Sequence, residues 1–468
     1  MSSGAGRREP GIGDRLDGLR WNRFHTVALL VLGVGWGFDA FEVTLISNVL
    51  GVLRDQWQLS ALQMSWIFGV WFVGLMLGAA GFGWVADRFG RRRVFLASLL
   101  IYGVFTALTA VAPSYGWLLA LRLLTAIGVG AEYAAINAMI SELIPATVRG
   151  RAGALVMNFW SIGAIFAALL SLILLAVLPP QYAWRAVFGF GAVIALLTLV
   201  LRRHLPESPR WLESQGRSAE AEHIVDCISQ GRIEFPRSRP RTGAAMPRPR
   251  ALAGLGTLLR LYPGRLALGC TLDFAEAAGY YGLFAFLPLV VLPALKLAPD
   301  TLPWFYLVGN VGALAGGLVV AWLLERWGRK PTVTACYGLT ALAMLGLAAV
   351  SGWGTPWIFA GFTLANLLAT ASWVGAYPTF TELFPTALRT TGVGASVAVG
   401  RLGALASPFL VAGVGARYGV AVAVLLLTGF WVLGFVAMLV WSWQGLEARG
   451  RSLDSLAPDP LALASASQ

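Results

Sequence analysis

Charged residues are scarce in this sequence of 468 residues, where Asp, Glu, Lys and Arg together make up only 12%. Hydrophobic residues make up 57% of the chain, and the mean hydropathy is +0.70. A water-soluble domain of this composition would expose large apolar patches and aggregate. A lipid bilayer removes that difficulty, because each crossing requires roughly 20 apolar residues. The scarcity of charge therefore excludes an ordinary soluble protein.

Cysteine and histidine are also rare, with three of each. Cys227, Cys270 and Cys336 are scattered and lack the spacing of metal ligands, so we expect neither a disulfide framework nor a metal site. The sequence contains no nucleophile–base set, phosphate-binding glycine loop or nucleotide motif. We therefore expect no enzymatic activity and no cofactor, and any driving energy must come from an ion gradient, with the proton as the coupling ion.

Long apolar segments recur along almost the whole chain. The sequence predicts twelve membrane-spanning helices at residues 25–50, 66–86, 94–112, 116–141, 152–178, 184–204, 264–292, 303–325, 331–351, 355–380, 391–417 and 420–443. A helix satisfies its own backbone hydrogen bonds within lipid, so the fold class is an all-α membrane protein. The polar, basic segment 1–24 does not resemble a cleavable signal peptide.

Arginine and lysine are concentrated in alternate loops between these spans. The basic side begins with five arginines before the first span, and it includes the loops after spans 2, 4, 8 and 10. Such an excess is typical of cytoplasmic loops, so both termini are expected in the cytoplasm and the chain in the cell inner membrane. This distribution also accounts for the net charge of +12 without a nucleic-acid partner.

The chain repeats itself with a period near 240 residues. Three pairs of segments match, at 39–42 and 273–276, at 87–92 and 325–330, and at 142–145 and 382–385, with offsets of 273 − 39 = 234, 325 − 87 = 238 and 382 − 142 = 240. Two parallel repeats with a site between them are a known transporter architecture. We therefore expect two pseudo-symmetric six-helix bundles.

The predicted organisation follows from these repeats. It comprises an N-terminal tail at 1–24, a first bundle at 25–204, a linker at 205–263, a second bundle at 264–443 and a C-terminal tail at 444–468. The linker is rich in Pro and Arg and is expected to be disordered, apart from a short surface helix at 218–229.

Seven charged residues lie inside the predicted spans and away from the span ends: Asp39, Glu42, Arg122, Glu132, Asp273, Glu276 and Arg401. A charge at the bilayer centre costs ~2.5–3.5 kcal/mol on insertion scales, so each requires a reason. Asp39 and Glu42 are three residues apart and share a helix face, where two carboxylates need a nearby cation. Arg122 is the natural partner. A permanent salt bridge between two helices is the alternative interpretation.

The chain resembles a transporter of the major facilitator superfamily over essentially its full length. Residues 83–92 match the loop signature of that superfamily between its second and third helices. Residues 206–210, Pro-Glu-Ser-Pro-Arg, resemble the sugar-porter branch. Residues 35–43 are most similar to bacterial niacin permeases and related metabolite:proton symporters, and the organic anion and cation transporters are more distant relatives.

The resemblance implies a proton site and a substrate site. In the sugar-porter pattern, an acid five residues before the Ser of an Ile-Ser pair binds a fourth-helix Arg, which assigns Glu42 and Arg122 as the proton site. Asp39 and Glu132 are further proton candidates, although Glu132 could equally be a polar clamp between helices. In organic anion transporters an Arg faces the substrate at the position of Arg401, which implies an anionic substrate. The alternative is that Arg401 permanently neutralises Asp273 or Glu276.

Aromatic residues could supply flat walls for a planar substrate. Tyr280, Tyr281 and Trp373 match aromatic cavity positions of the organic anion transporters, and Trp160 is expected to do so as well. The remaining substrate candidates are Trp36, Phe38, Tyr377, Asn158, Asn366 and Glu276. The alternative is that most of these aromatic side chains face lipid or the protein core.

The loop signatures imply a cytoplasmic gate. Asp87 is expected at the N-terminus of helix 11, where the helix dipole favours an anion. Glu142, Glu207 and Glu382 are expected to pair with arginines across the interface between the halves. The complete set of gate candidates is Asp87, Arg88, Arg91, Arg92, Glu142, Arg149, Glu207, Arg210, Glu325, Arg329, Glu382 and Arg389.

The sequence thus predicts a proton-coupled symporter that imports a small aromatic monocarboxylate, nicotinate-like, by alternating access. Two alternatives remain open, a sugar or polyol:proton symporter and a proton-driven exporter of organic cations. A membrane receptor that transports nothing is a third. The expected partners are a small organic anion and the lipid bilayer, and the expected state is a monomer.

Overall fold

A computed structural model describes residues 11–145, 147–202, 205–233, 251–384 and 389–447, with the side chains of some residues inside these ranges left undescribed. The α-helices are α1 (Ile12–Asp17), α2 (Arg23–Trp57), α3 (Ala61–Phe89), α4 (Arg91–Thr109), α5 (Tyr115–Leu143), α6 (Arg149–Val177), α7 (Pro180–Arg202), α8 (Pro209–Ser214), α9 (Ser218–Ser229), α10 (Ala251–Leu261), α11 (Pro263–Phe286), α12 (Leu292–Ala294), α13 (Leu302–Arg326), α14 (Arg329–Val350), α15 (Thr355–Glu382), α16 (Arg389–Tyr418) and α17 (Val420–Gln444). A π-helical turn at Leu287–Val291 joins α11 to α12, and a 3₁₀ turn precedes α13 at Pro299–Thr301.

The long helices coincide with the twelve predicted spans. Within the described residues, ten segments are long and apolar enough to cross a membrane, and they lie in α2, α3, α4, α6, α11–α12, α13, α14, α15, α16 and α17. The two remaining predicted spans correspond to α5 and α7, which are 29 and 23 residues long. The predicted all-α, multi-pass membrane fold is confirmed.

Glycines with positive φ precede four of the long helices in the described part of the chain, and two of these turns correspond between the repeats. Gly90 precedes α4 with φ +100°, and Gly328 precedes α14 with φ +93°. Such positive φ values are readily adopted only by glycine, because a side chain would clash with the backbone. The two turns occupy corresponding places in the two repeats, 328 − 90 = 238 residues apart.

Helix packing follows the same scheme in both halves of the chain. In the first half α2 packs on α6, α3 on α5, and α4 on both α5 and α7. In the second half α11 packs on α16, α13 on α15, and α14 on both α15 and α17. Contacts between the halves are made by α6 with α13 and by α3 with α16, again as a matched pair. This arrangement places α2, α3, α6, α11, α13, α15 and α16 around a shared interface.

The π-helical turn interrupts the long helix that begins with α11. Pro288 lies inside this turn and Pro293 follows it, and neither residue can donate a backbone hydrogen bond. The turn is buried, and it contacts α2 and α3 of the first half as well as α16 and α17 of the second. The interruption therefore lies between the two halves, beyond the tyrosines that α11 presents nearer the middle.

Short helices lie beside the end of the bundle where the chain begins. The predicted surface helix at 218–229 is confirmed as α9, which packs against α8 and α1. Arg15 of α1 forms an ion pair with Asp226 of α9 at 2.6 Å, and Arg210 of α8 with Asp17 at 2.9 Å. The predicted linker also contains α8 and α10, which its composition did not indicate. The Pro- and Arg-rich stretches at 236–241 and 247–250 lie outside the described residues.

Candidate functional site

All seven charged residues predicted within the spans are buried inside the protein and do not face lipid. Arg401 is the most exposed of them, at 4%, and Arg122 is next at 1%. The five carboxylates of Asp39, Glu42, Glu132, Asp273 and Glu276 have no exposed surface. Buried charges of this kind are costly unless they are paired or hydrogen-bonded, so their neighbours indicate what each can do.

Glu42 and Arg122 form a buried ion pair between α2 and α5. Arg122 Nη1 donates to Glu42 Oε2 at 3.1 Å, and Arg122 Nη2 donates to the Glu42 backbone carbonyl at 3.3 Å. The Thr106 hydroxyl of α4 donates to Glu42 Oε1 at 3.0 Å. Both carboxylate oxygens therefore accept a hydrogen bond, which is the environment of an ionised carboxylate.

Aromatic rings of the first half surround this pair. The Arg122 guanidinium lies 4.0 Å from the centre of the Trp71 ring and 5.9 Å from that of Phe188. A cation over an aromatic face gains electrostatic energy, most when both are removed from water. These partners belong to α3 and α7, and Thr106 belongs to α4, so the pair lies among first-half helices. Asp39 is one helical turn earlier on α2, and Glu132 is buried on α5.

The second half repeats the two acids but takes its arginine from a different helix. Asp273 and Glu276 of α11 correspond to Asp39 and Glu42, and both lie within electrostatic range of Arg401 on α16. The Asp273 carboxylate lies over Gly400, where a β-carbon would overlap Oδ2. Arg401 is thus close to two acids, so the alternative in which it neutralises a carboxylate has support in the geometry.

An aromatic cluster lies at the interface between the halves. Its members are Trp36, Phe72, Trp160, Tyr280, Tyr281, Trp373 and Tyr377. Trp160 of α6 stacks on Trp373 of α15, with ring centres 6.0 Å apart and planes inclined by 22°. Phe72 of α3 contacts Tyr281 of α11, with ring centres 4.6 Å apart. The rings therefore contact each other from both halves.

The aromatic cluster adjoins the charged group around Arg401. Tyr377 stacks on Trp373 at 5.9 Å, and it also lies within electrostatic range of Asp273 and Arg401. Tyr280 contacts Trp373 with ring centres 5.1 Å apart. Flat rings and a guanidinium are thus neighbours at one place in the fold. Phe38, by contrast, stacks on Tyr102 of α4, within the first half.

Two buried amides lie on helices of the same interface. The Asn158 side chain of α6 donates to the Leu314 carbonyl of α13 at 3.4 Å, a bond between the halves. Asn366 of α15 has no exposed surface, and neither its Nδ2 nor its Oδ1 has a hydrogen-bond partner within the described part of the chain. Asn366 is seven residues before Trp373, which places both on one face of α15.

Two contacts between gate candidates lie within one half of the chain. Arg329 forms a two-pronged pair with Glu382, at 2.9 Å from Nε and 2.8 Å from Nη2, between α14 and α15. Glu207 Oε1 accepts a hydrogen bond from the Arg92 backbone amide at 3.2 Å. The sequence predicted pairs across the interface between the halves. These two contacts instead join residues of one half, because Arg329 and Glu382 lie at adjacent ends of α14 and α15, and Glu207 follows α7 beside the start of α4.

The other gate candidates are placed less centrally. Arg210 contacts Asp17 and the Gly13 carbonyl of α1, Glu325 is exposed at the end of α13, and Glu142 is half-buried near the end of α5. The side chains of Asp87, Arg88, Arg91, Arg149 and Arg389 lie outside the described residues.

In the second half, Glu447 corresponds to Glu207, and it was not among the residues predicted from the sequence. Its two carboxylate oxygens accept hydrogen bonds from the backbone amides of Arg329 and Lys330, both at 3.0 Å. It therefore caps the N-terminus of α14, just as Glu207 contacts that of α4. The signal was available, because 447 − 207 = 240 residues, the same offset as the other repeats.

Comparison with known proteins decides the family. Residues 30–457 match the family model described as "Sugar (and other) transporter". The chain belongs to this family of the major facilitator superfamily. It is therefore a secondary transporter and not an enzyme. The family likeness agrees with the paired helix packing in the two halves.

Individual members of the family and solved structures agree with this assignment. The chain is 31% identical to the niacin transporter NiaP of Acinetobacter baylyi, over 94% of this chain and 98% of that protein. It is 30% identical to a putative niacin/nicotinamide transporter NiaP of Bacillus subtilis, over 83% and 88%. The fold is similar to that of the proton:xylose symporter XylE, with a TM-score of 0.74 and 19% identity, over 92% of this chain and 98% of XylE.

Proposed function

We propose that the protein is a proton-coupled symporter that imports a small aromatic monocarboxylate of the nicotinate type. The observation that carries this proposal is the contact between the aromatic cluster and the group around Arg401. Flat faces come from both halves, from Trp160 in the first and from Tyr280, Tyr281 and Trp373 in the second. Tyr377 stacks on Trp373 and lies within electrostatic range of Arg401. A ring with an attached carboxylate needs both features side by side.

The relatives support the same class of substrate. Two of them are named as niacin or niacin/nicotinamide transporters, at 31% and 30% identity. Nicotinate is a planar ring with one carboxylate and one ring nitrogen. The ring would enter between Trp160 and Trp373, the carboxylate would bind Arg401, and the buried amide of Asn366 would face the ring nitrogen. Trp36, Asn158 and Glu276 complete the proposed lining.

Proton coupling in this proposal uses the ion pair of the first half. Protonation of Glu42 from outside would release Arg122, and loss of the proton inside would restore the pair. Asp39 and Glu132 would tune the local charge. The two six-helix bundles, 25–204 and 264–443, would rock about the interface, with the gate candidates in the loops closing the cytoplasmic side.

We further propose that the chain is a monomer in the cell inner membrane. Both termini would lie in the cytoplasm, an orientation that the arginines of its loops support.

Uptake by purified protein in proteoliposomes tests the substrate. With an inward proton gradient, we expect concentrative uptake of labelled nicotinate, competition by benzoate, and weak competition by nicotinamide, which lacks the carboxylate. Arg401→Gln should abolish nicotinate uptake. Arg417→Gln, on the same helix but at an exposed position, is the matched control and should transport normally. Equal uptake by the Arg401 variant would refute the anion site.

The same assay tests the proton carrier. Glu42→Gln should eliminate uphill accumulation while preserving exchange of internal for external nicotinate, because a neutral side chain cannot release a proton. Undiminished accumulation by this variant at acidic external pH would exclude Glu42 as the carrier.

A sugar or polyol is the second candidate substrate, because the family match and the XylE-like fold favour it independently of Arg401. Labelled xylose in the same proteoliposomes separates the two. Uptake of xylose without uptake of nicotinate would replace the first proposal with the second.

A further inference from the structure

Glu276, which belongs to the proposed substrate lining, has a buried contact with Tyr337 that takes no part in the proposed proton coupling. The Tyr337 hydroxyl of α14 lies 3.3 Å from Glu276 Oε2 and 3.1 Å from the Leu272 backbone carbonyl, both on α11. Glu276 and Tyr337 have no exposed surface. Glu276 Oε1 has no hydrogen-bond partner among the residues that the structure describes.

The number of protons available at this contact is limited. A tyrosine hydroxyl carries one proton, and a backbone carbonyl can only accept. The shorter contact of the Tyr337 hydroxyl is with the Leu272 carbonyl, so the hydroxyl proton is donated there. The Tyr337 oxygen then forms a hydrogen bond with Glu276 only if the Glu276 carboxyl is the donor. Both contacts are hydrogen bonds at the same time when the Glu276 carboxyl is neutral and donates to the Tyr337 oxygen.

The corresponding glutamate of the first half has the opposite environment. Both oxygens of Glu42 accept hydrogen bonds, one from the Thr106 hydroxyl and one from the Arg122 guanidinium. In the described part of the chain, Glu276 forms a hydrogen bond with Tyr337, and Arg401 acts on Glu276 through its electrostatic field. The repeat thus gives the two glutamates different partners, a cation for Glu42 and a phenol for Glu276.

The charged and titratable groups around Glu276 come from three neighbouring helices and from its own. Asp273 lies one turn earlier on α11, Arg401 is on α16, Tyr377 is on α15, and Tyr337 is on α14 with Cys336 beside it. On α17 the neighbouring side chain is Trp431, which contacts Tyr337 and cannot titrate. One arginine therefore faces two carboxylates, so a proton on one carboxylate leaves the group neutral.

We infer that Glu276 is a second proton-binding site, separate from Glu42, in which the Glu276 carboxyl holds a proton against the Tyr337 oxygen. When this proton is released to water, a carboxylate remains near Arg401 and Asp273. With the proton bound, Asp273 alone balances Arg401, and an incoming carboxylate meets little repulsion. After the proton leaves, Glu276 and Asp273 compete with that carboxylate for Arg401. Binding of this proton and of an anion would therefore favour each other. The coupling between this proton and the anion rests on the proposed function, whereas the proton site itself does not.

Infrared difference spectroscopy of the purified protein in lipid tests the site without any substrate. We expect the carbonyl stretch of a protonated carboxyl at neutral pH, sensitive to deuterium exchange. Glu276→Gln should remove this band, and Tyr337→Phe should shift its frequency because the hydrogen-bond partner is lost. Glu42→Gln is the matched control and should leave the band in place. A band that persists unchanged in Glu276→Gln would overturn the inference, and so would the absence of any such band from the native protein.

Proton counting in proteoliposomes provides an independent readout. The glutamine variant retains the shape of the neutral acid, so it should fold and should transport with fewer protons per substrate molecule. We expect the number of protons coupled to each substrate to fall by one relative to the native protein. An unchanged number would contradict the coupling step. If nicotinate is not transported at all, the infrared result still decides the proton site.

Discussion

Arg122 binds Glu42 twice, through the carboxylate at 3.1 Å and through the backbone carbonyl of the same residue at 3.3 Å. The guanidinium therefore contacts both a titratable group and a fixed one. Loss of the carboxylate interaction on protonation would leave the carbonyl bond and the Trp71 face in place. The release of Arg122 in the proposed mechanism is therefore the loss of its carboxylate bond, while the guanidinium stays near the Glu42 carbonyl and the Trp71 ring.

This relationship predicts unequal effects of removing either partner. Arg122→Ala should destabilise the protein by about 3–5 kcal/mol, because an uncompensated carboxylate stays buried. Glu42→Gln should cost less, since the amide still accepts from one neighbour and the arginine keeps its carbonyl and Trp71. Thermal unfolding in lipid nanodiscs measures both. The double variant Glu42→Ala with Arg122→Ala should recover part of the loss, and equal melting of Arg122→Ala and native protein would contradict this account.

The glycine turns give a prediction with an internal control. Gly90→Ala introduces a side chain at φ +100° and also pushes against the Glu207 carboxylate. Gly354→Ala has the same conformational penalty, at φ +106°, but its β-carbon would have no neighbour within 4 Å. Both should lose about 1–2 kcal/mol from the backbone. Only Gly90→Ala should lose more, by displacing the Glu207 cap at about 0.5–2 kcal/mol.

Denaturant or thermal unfolding compares these two variants directly. Gly328→Ala should lose an intermediate amount, because its β-carbon would lie 3.2 Å from the Glu447 carboxyl carbon, whereas that of Gly90→Ala would overlap the Glu207 carboxylate. Identical losses for Gly90→Ala and Gly354→Ala would show that Glu207 contributes nothing to the turn.

A close helix crossing in the first half provides the third prediction. Gly163 of α6 lies directly against the backbone carbonyl of Gly37 on α2, so a β-carbon there would overlap it. Gly163→Ala should force the two helices apart and cost at least about 1–3 kcal/mol. Gly153→Ala on the same helix has open space, and it should be neutral or gain up to about 1 kcal/mol. Comparable stability of the two variants would argue against this packing.

The aromatic cluster gives a prediction about binding. Trp160→Ala should weaken substrate binding about tenfold or more, because a lost aromatic contact costs about 0.5–1.5 kcal/mol beyond the buried area. Trp117→Ala removes an equally large ring that is 59% exposed on the outside of α5, and it should bind normally. Isothermal titration with nicotinate on both variants measures the difference. Weakened binding in both would indicate a general effect of losing tryptophan.

Much of the fold follows from the sequence because lipid imposes simple rules. Apolar length placed the twelve long helices with ends that differ from the predicted ones by at most seven residues, and the repeat offsets anticipated that packing would recur in both halves. The helix at Ser218–Ser229 was also anticipated. The helix at Ala251–Leu261 was not, because its flanking Pro- and Arg-rich composition suggested an unstructured linker.

The site was harder to anticipate, for physical reasons. The acid that contacts a buried arginine depends on how the helices cross. The sequence therefore placed Arg401 in the interior and named Asp273 or Glu276 as its partner, but it did not predict that Arg401 interacts electrostatically with both. A capping residue such as Glu447 binds backbone amides that are more than 100 residues away in the sequence, so no local sequence pattern predicts the contact. The repeat offset is the exception, because a contact known in one half predicts the corresponding contact in the other half.

The stacked rings of Trp160 and Trp373 join the two halves through side chains of the proposed substrate site. Each ring comes from a different half, so in the proposed mechanism a planar substrate that enters between them must first separate them. Substrate binding would then exchange one contact between two protein rings for a contact between each ring and the substrate. The free energy gained on binding would be smaller by the strength of the ring contact that is given up.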